Sequence, residues 1–195
     1  MTARVIKIKK GIQPGTVVPE KQHAGNIGHW TQSKLKDDGF KINTGKGVDL
    51  PEENLEVKSR KDESNSAHTI GNMTKQDIVS NTWHQSSLKP KCQRQYRVTY
   101  SDVDSVVTSS AIYDFTDPFI QEKFEEAYEE GRKLIQAGKE EHYLRNSQWG
   151  YFEKKENSYE FRIPHAAMKK IITASLNSKT FNDLFDYGNH TVSEV

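Results

Sequence analysis

The chain has 195 residues, enough for one well-buried domain with room for a small subdomain. Its 28 Lys and Arg stand against 27 Asp and Glu, so an anionic partner has to be met by local patches and not by a global field. One cysteine, Cys92, excludes an internal disulfide framework and argues against a structural zinc site, and no apolar run approaches the length of a membrane span. Met1-Thr-Ala-Arg lacks the apolar core of a signal peptide, and the expected setting is soluble, reducing and cytoplasmic.

In chain order, Val5, Ile6 and Ile8 read as a short strand among Arg4, Lys7, Lys9 and Lys10, followed by a loop over 11–19 with Pro14-Gly15 as a turn. Ile27, Trp30 and Leu35 predict a helix over 26–36, stopped by Gly39. A strand is expected to start over 40–43, then a glycine-rich turn over 44–47, then a strand over 55–60, with 61–66 a polar loop. Helix or turn-plus-helix is expected over 74–85, and strands over 95–100 and 105–113 joined by Ser101-Asp102-Val103-Asp104. The clearest helix has Asp117 as N-cap, Pro118 in its first turn, a stripe of Ile120, Phe124, Ala127, Gly131, Leu134 and Ile135, and Gly138 as its stop. Its other face carries Glu122, Glu125, Glu126, Glu129 and Glu130 and should point away from nucleic acid. A hairpin across 154–158 and helices over 165–176 and 180–187 complete the chain. The order predicts a single α/β domain, 1–195, in which 20–115 carries the chemistry-bearing segment and 116–195 completes the core or makes partner contacts.

The segment richest in chemistry is Gly45-Lys-Gly-Val-Asp49-Leu-Pro-Glu-Glu-Asn-Leu55-Glu56-Val57-Lys58. On a strand Leu55 and Val57 share one face and Glu56 and Lys58 the other, so burying the apolar pair fixes the polar one. A turn at Pro51-Glu52-Glu53-Asn54 would bring Asp49 back beside Glu56. Two carboxylates and an ammonium then converge, a set able to hold a hard divalent cation and steer a water onto a phosphodiester. The alternative is an exposed strand face with an incidental ion pair. Glu153-Lys154-Lys155 repeats Glu-x-Lys without a nearby preceding aspartate and is expected to be a solvated hairpin tip.

This spacing resembles the PD-(D/E)XK nuclease superfamily, the fold of many type II restriction enzymes, and within it the MutH-like nicking endonucleases and related restriction enzymes. Upstream, Gly25-Asn-Ile-Gly28-His-Trp-Thr-Gln32 resembles the helix Gly-x-x-Gly-x-x-x-Glu that opens their catalytic region, with Gln32 where the pattern has glutamate. The resemblance spans roughly 25–60 and implies a restriction-endonuclease-like core with a mixed central sheet flanked by helices. It implies Mg²⁺ (Mn²⁺ substituting) on Asp49, Glu56 and the Val57 carbonyl, Lys58 and Gln32 as further catalytic groups, and 5′-phosphate and 3′-hydroxyl products. Gln32 offers an amide oxygen but no charge.

For a DNA partner, Lys89, Lys91, Arg94 and Arg97 lie close in sequence among Gln93, Gln95 and Tyr96, a mixture that suits base edges and phosphates. A solvated basic strand edge accounts for them equally well. Lys46, Arg60, Lys61, Ser66, His68 and Thr69 are further candidates for backbone contact. The expected function is a Mg²⁺-dependent DNA endonuclease, first as a site-specific restriction-type enzyme acting as a homodimer, second as a nicking enzyme. A non-catalytic DNA-binding protein on the same scaffold, or an enzyme acting on RNA or small phosphates, are the rival readings.

Overall fold

The computed structural model describes residues 4–7, 11–19, 24–139, 141, 143–144 and 147–171. Among these the chain is mixed α/β, with eight strands and four helices in the order β1 (Arg4–Lys7), α1 (Ala24–Asp37), β2 (Glu56–Lys61), β3 (His68–Met73), α2 (Lys75–Ser80), β4 (Arg94–Ser101), β5 (Val106–Asp114), α3 (Pro118–Gln136), β6 (Tyr143–Leu144), β7 (Tyr151–Lys154), β8 (Tyr159–Ile163) and α4 (His165–Ile171). Short 3₁₀ turns at Trp83–Gln85 and Pro90–Cys92 link α2 to β4.

The expected single central sheet is instead two four-stranded sheets, β1-β5-β4-β2 and β3-β8-β7-β6. The first is mixed: β2 runs parallel to β4, while β4–β5 and β5–β1 are antiparallel. A parallel pair needs a long crossover, and here the crossover itself contributes β3 to the second, antiparallel sheet. His68 and Thr69, just past the loop expected over 61–66, therefore open a strand, and Ile70 and Met73 are buried from it.

Two cores result. Helix α1 covers one face of the first sheet, where Ile27 and Leu35 pack with Val57, Tyr96, Val98 and Ile112. The second core joins Ile70, Trp83 and Phe115 to Phe124, Phe152 and Phe161, so the described part of 116–195 shares a core with the middle of the chain. The capping chemistry of α3 is as the sequence predicts: Asp117 accepts from the Phe119 N–H at 2.9 Å, and Gly138 (φ +78°) turns the chain out. At Gly131 the helix lies so close to β7 that a Cβ would stand 2.4 Å from the Phe152 ring, which explains a glycine mid-helix.

Other expectations need correcting. Residues 40–43 form no strand; Phe40 is buried and Asn43 N–H donates to the Asp49 carbonyl at 2.8 Å. Lys61 ends β2 and does not open the loop. Two acids on the outer side of α3 serve packing: Glu129 accepts from the Trp83 N–H at 2.8 Å, and Glu125 lies 3.1 Å from His84. Ile8, residues 172–176 of the helix expected over 165–176, and the helix expected over 180–187 lie outside the described residues. Among the described residues no helix is long and apolar enough to cross a membrane.

Candidate metal centre and cationic cleft

The turn at 51–54 forms as its residues dictate. Leu50 and Leu55 exchange both backbone hydrogen bonds, at 2.9 and 3.0 Å, and both side chains are fully buried. Asn54 takes the left-handed φ of +56° that closing so short a loop requires, a conformation its small polar side chain tolerates. The turn returns Asp49 to the start of β2, where its Oδ2 accepts from the Val57 N–H at 2.9 Å. Helix α1 brings Gln32 to the same point: buried Thr31 bonds to Ser59 of β2 at 2.7 Å, and the neighbouring Gln32 Nε2 donates to Asp49 Oδ1 at 3.3 Å.

Alternation along β2 sends Val57 into the α1 core and Glu56, Lys58 and Arg60 to the opposite face. Glu56 is only 2% exposed. Its Oε1 accepts from two ammoniums, Lys58 Nζ and Lys91 Nζ, each at 2.9 Å, while its Oε2 is buried without a hydrogen-bond partner. Lys58 also donates to the Ile70 carbonyl at 2.9 Å, tying β2 to β3. Burial first, and the Glu56 charge second, push the Asp49 carboxyl above its usual range, against the pull of the Val57 N–H, Lys58 and Lys91. Two neighbouring carboxyl groups, one of them with a bare buried oxygen, have the donor chemistry of a hard cation site.

Glu153 provides an internal comparison and a correction. It is not a solvated tip: Glu153 is 6% exposed, with Lys155 Nζ at 2.9 Å on Oε1. The local Glu-x-Lys pair is the same as at Glu56, but Arg162 Nη1 covers the second oxygen at 2.7 Å, and the Lys155 and Arg162 bonds hold the carboxyl below its usual range. Cations saturate this glutamate, and it leaves no oxygen for a metal.

The basic residues sort into three groups. Lys46 is exposed on the glycine turn, Lys61 pairs with Asp102 at 2.5 Å, and Lys89 lies 2.9 Å from His84 Nδ1. Lys91 bonds Glu56, Arg94 lies 3.7 Å from Asp114, and Thr69 donates to Glu160 at 3.1 Å, so each of these three candidates has an internal partner. Arg97 is a correction: it is 7% exposed and cannot read base edges from the surface. Instead Arg97, Arg60 and His68 meet in a cleft of ≈ 560 Å³ that runs along the edge strand β2, with Ser66 on its wall.

Two residues of that cleft were not singled out from sequence, Arg162 of β8 and His165 of α4. Lys91 as a second cation on Glu56 was likewise missed. The alternation Tyr159-Glu-Phe161-Arg-Ile163 puts Arg162 on the face opposite the apolar residues. What that face meets depends on β8 pairing with β3, for which no local signal exists. No protein-family model matches the chain, and no curated protein does.

Proposed function

We propose that this protein is a Mg²⁺-dependent DNA endonuclease with a restriction-endonuclease-like core, cutting both strands at a specific site. The observation that carries the reading is the convergence of Asp49, Glu56 and Lys58, with Glu56 Oε2 buried and bare. Asp49 and Glu56, with the Val57 carbonyl by family resemblance, would hold the cation. When bound, Mg²⁺ supplies a more acidic water and neutralises charge at the scissile phosphate.

The chain's own groups do the rest. Lys58, fixed by Glu56 and the Ile70 carbonyl, keeps an ammonium where negative charge gathers on the phosphoryl oxygens during attack. Lys91 shares Glu56 with it, so two ammoniums bond the same oxygen of that buried side chain. The Val57 N–H fixes the orientation of Asp49. Water oxygen bonds to phosphorus, the P–O3′ bond breaks, and the leaving oxygen takes a proton, giving 5′-phosphate and 3′-hydroxyl ends.

Purified protein incubated with supercoiled plasmid is expected to yield linear DNA with Mg²⁺ or Mn²⁺ and none with chelator. Open circles alone would move the assignment to a nicking enzyme, and intact plasmid with both metals would remove the catalytic reading. One observation favours a non-catalytic DNA-binding role: Gln32 places a neutral amide donor on Asp49 where the resembling family has a charge. Gln32→Glu is therefore expected to tighten Mg²⁺ binding on the order of tenfold, the scale of one added carboxylate near a partly screened cation. Calorimetric titration of both forms with Mg²⁺ checks this, and equal affinities would show that position 32 takes no part.

A further inference from the structure

Among the described residues the cleft along β2 gathers five cationic side chains, Lys58, Arg60, Lys61, Arg97 and Arg162, against a single lining carboxylate, Asp62. Lys58, Lys61 and Arg162 have carboxylate partners elsewhere: Glu56, Asp102, and Glu153 with Glu160. Arg60 and Arg97 have none among the described residues. Arg60 gives Nη2 to the Ser64 and Ser66 carbonyls, each at 2.6 Å, and approaches His165 Nδ1 at 3.4 Å. Arg97 gives Nε to Gln95 Oε1 at 2.8 Å and Nη1 to His68 Nδ1 at 2.6 Å, its guanidinium 5.3 Å from the centre of the Tyr113 ring. Arg60 Nη1 and Arg97 Nη2 are thus left without a partner among the described residues.

The histidines continue the pattern. A guanidinium can only donate, so His68 Nδ1 is the acceptor and the ring proton lies on Nε2. That proton is given to His165 Nδ1 at 3.0 Å, which in turn keeps the His165 proton on Nε2. Two arginines that no acid neutralises among the described residues, and two rings locked in one donor–acceptor relay, surround a space within the ~300–1,000 Å³ range of small-molecule sites. Burial, with Arg60 adding to it, pulls Arg97 down to about 10, so it stays cationic at neutral pH. Buried unpaired cations are costly unless an anion meets them, and the arginine fork matches phosphate oxygens.

We propose that this cleft is a phosphate-binding site, in which Arg60 and Arg97, supported by Arg162 and His165, hold a phosphate group of a nucleic-acid end or of a free phosphate compound. It goes beyond the cleavage reaction and is tested without it: the cleft shares Lys58 and Val57 with the candidate metal centre, but neither Asp49 nor Glu56 lines it.

The test is titration of the full chain with inorganic phosphate at constant ionic strength, read by calorimetry and by the ¹⁵N signals of the His68 and His165 rings. Saturable one-to-one binding that moves both rings is expected, weakened about tenfold or more by Arg60→Gln. Lys133→Gln, the same charge change on the exposed side of α3, should stay within about twofold. A 5′-phosphorylated oligonucleotide that outcompetes its 5′-hydroxyl counterpart identifies a nucleic-acid end as the source. Equal competition, with free phosphate still bound, identifies a free phosphate compound. Should Arg60→Gln not fold, the wild-type ring signals decide alone. Absence of saturable binding, rings that do not respond, or unchanged affinity in a folded Arg60→Gln protein overturns the assignment.

Discussion

Glu56→Gln and Lys58→Ala are each expected to lower Mg²⁺-dependent plasmid cleavage by on the order of 10²-fold or more, while duplex DNA is still bound. Glu56→Gln keeps the shape of a side chain that is 2% exposed and removes the charge that both Lys58 and Lys91 neutralise. Lys58→Ala removes the ammonium and the β2–β3 tie to the Ile70 carbonyl, so its melting temperature has to be followed beside its rate. Lys155→Ala is the matched control, taking a lysine from the same local Glu-x-Lys pairing at 2.9 Å. It should cut as the wild type does, because Arg162 still covers Glu153 and also holds the neighbouring Glu160, so the carboxylates there keep a cation. Loss of cleavage in Lys155→Ala equal to that in Lys58→Ala would show that the effect is general destabilisation. Full activity in both Glu56→Gln and Lys58→Ala would remove the site.

The parts of this fold that were readable in the sequence are those fixed by neighbours a few residues apart. Asp117-Pro118 and Gly138 bound α3 because capping is local. Leu55-Glu56-Val57-Lys58 alternates because a pleated strand has period two, and Pro51 to Asn54 closes because Asn accepts a positive φ. Those two local facts suffice to bring Asp49 to the Val57 N–H. What was not readable depends on which strand pairs with which. Glu153 looked like an exposed tip until the β7–β8 hairpin set Arg162, nine residues on, diagonally opposite it. The division into two sheets follows from β3 pairing with β8, 86 to 95 residues away, and no periodicity in 68–73 records that partner. Within the basic run 89–97, Arg97 leaves the surface for a related reason: the register Lys58↔Arg97 and Glu56↔Gln95 turns it inward, toward His68 of β3.

Acid should destabilise the protein through His68 in a way that a single substitution removes. His68 is 6% exposed and is faced by Arg97 from β4, Arg60 from β2, His165 from α4 and Arg162 from β8. Burial first, and these charges after it, hold the ring neutral far below its ordinary value of 6.5. The native state then takes up no proton at this ring on mild acidification, whereas the unfolded chain does. Because the unfolded state binds more protons, stability rises with pH through this window and is lost as pH falls below the unfolded value, by about 1.4 kcal/mol per unit. Between about pH 7 and about pH 5 the loss from His68 alone is about 2 kcal/mol. His165, held below its ordinary value by burial and by Arg60, Lys169 and Arg97, acts in the same direction with less weight, being more exposed. His68→Asn keeps an acceptor for the Arg97 guanidinium and removes the titration. Urea unfolding of both proteins across this range is expected to show the wild type losing about 2 kcal/mol more than the variant. Parallel losses would mean that the ring accepts a proton in the folded state, and that the guanidiniums of Arg97 and Arg60 do not exclude it.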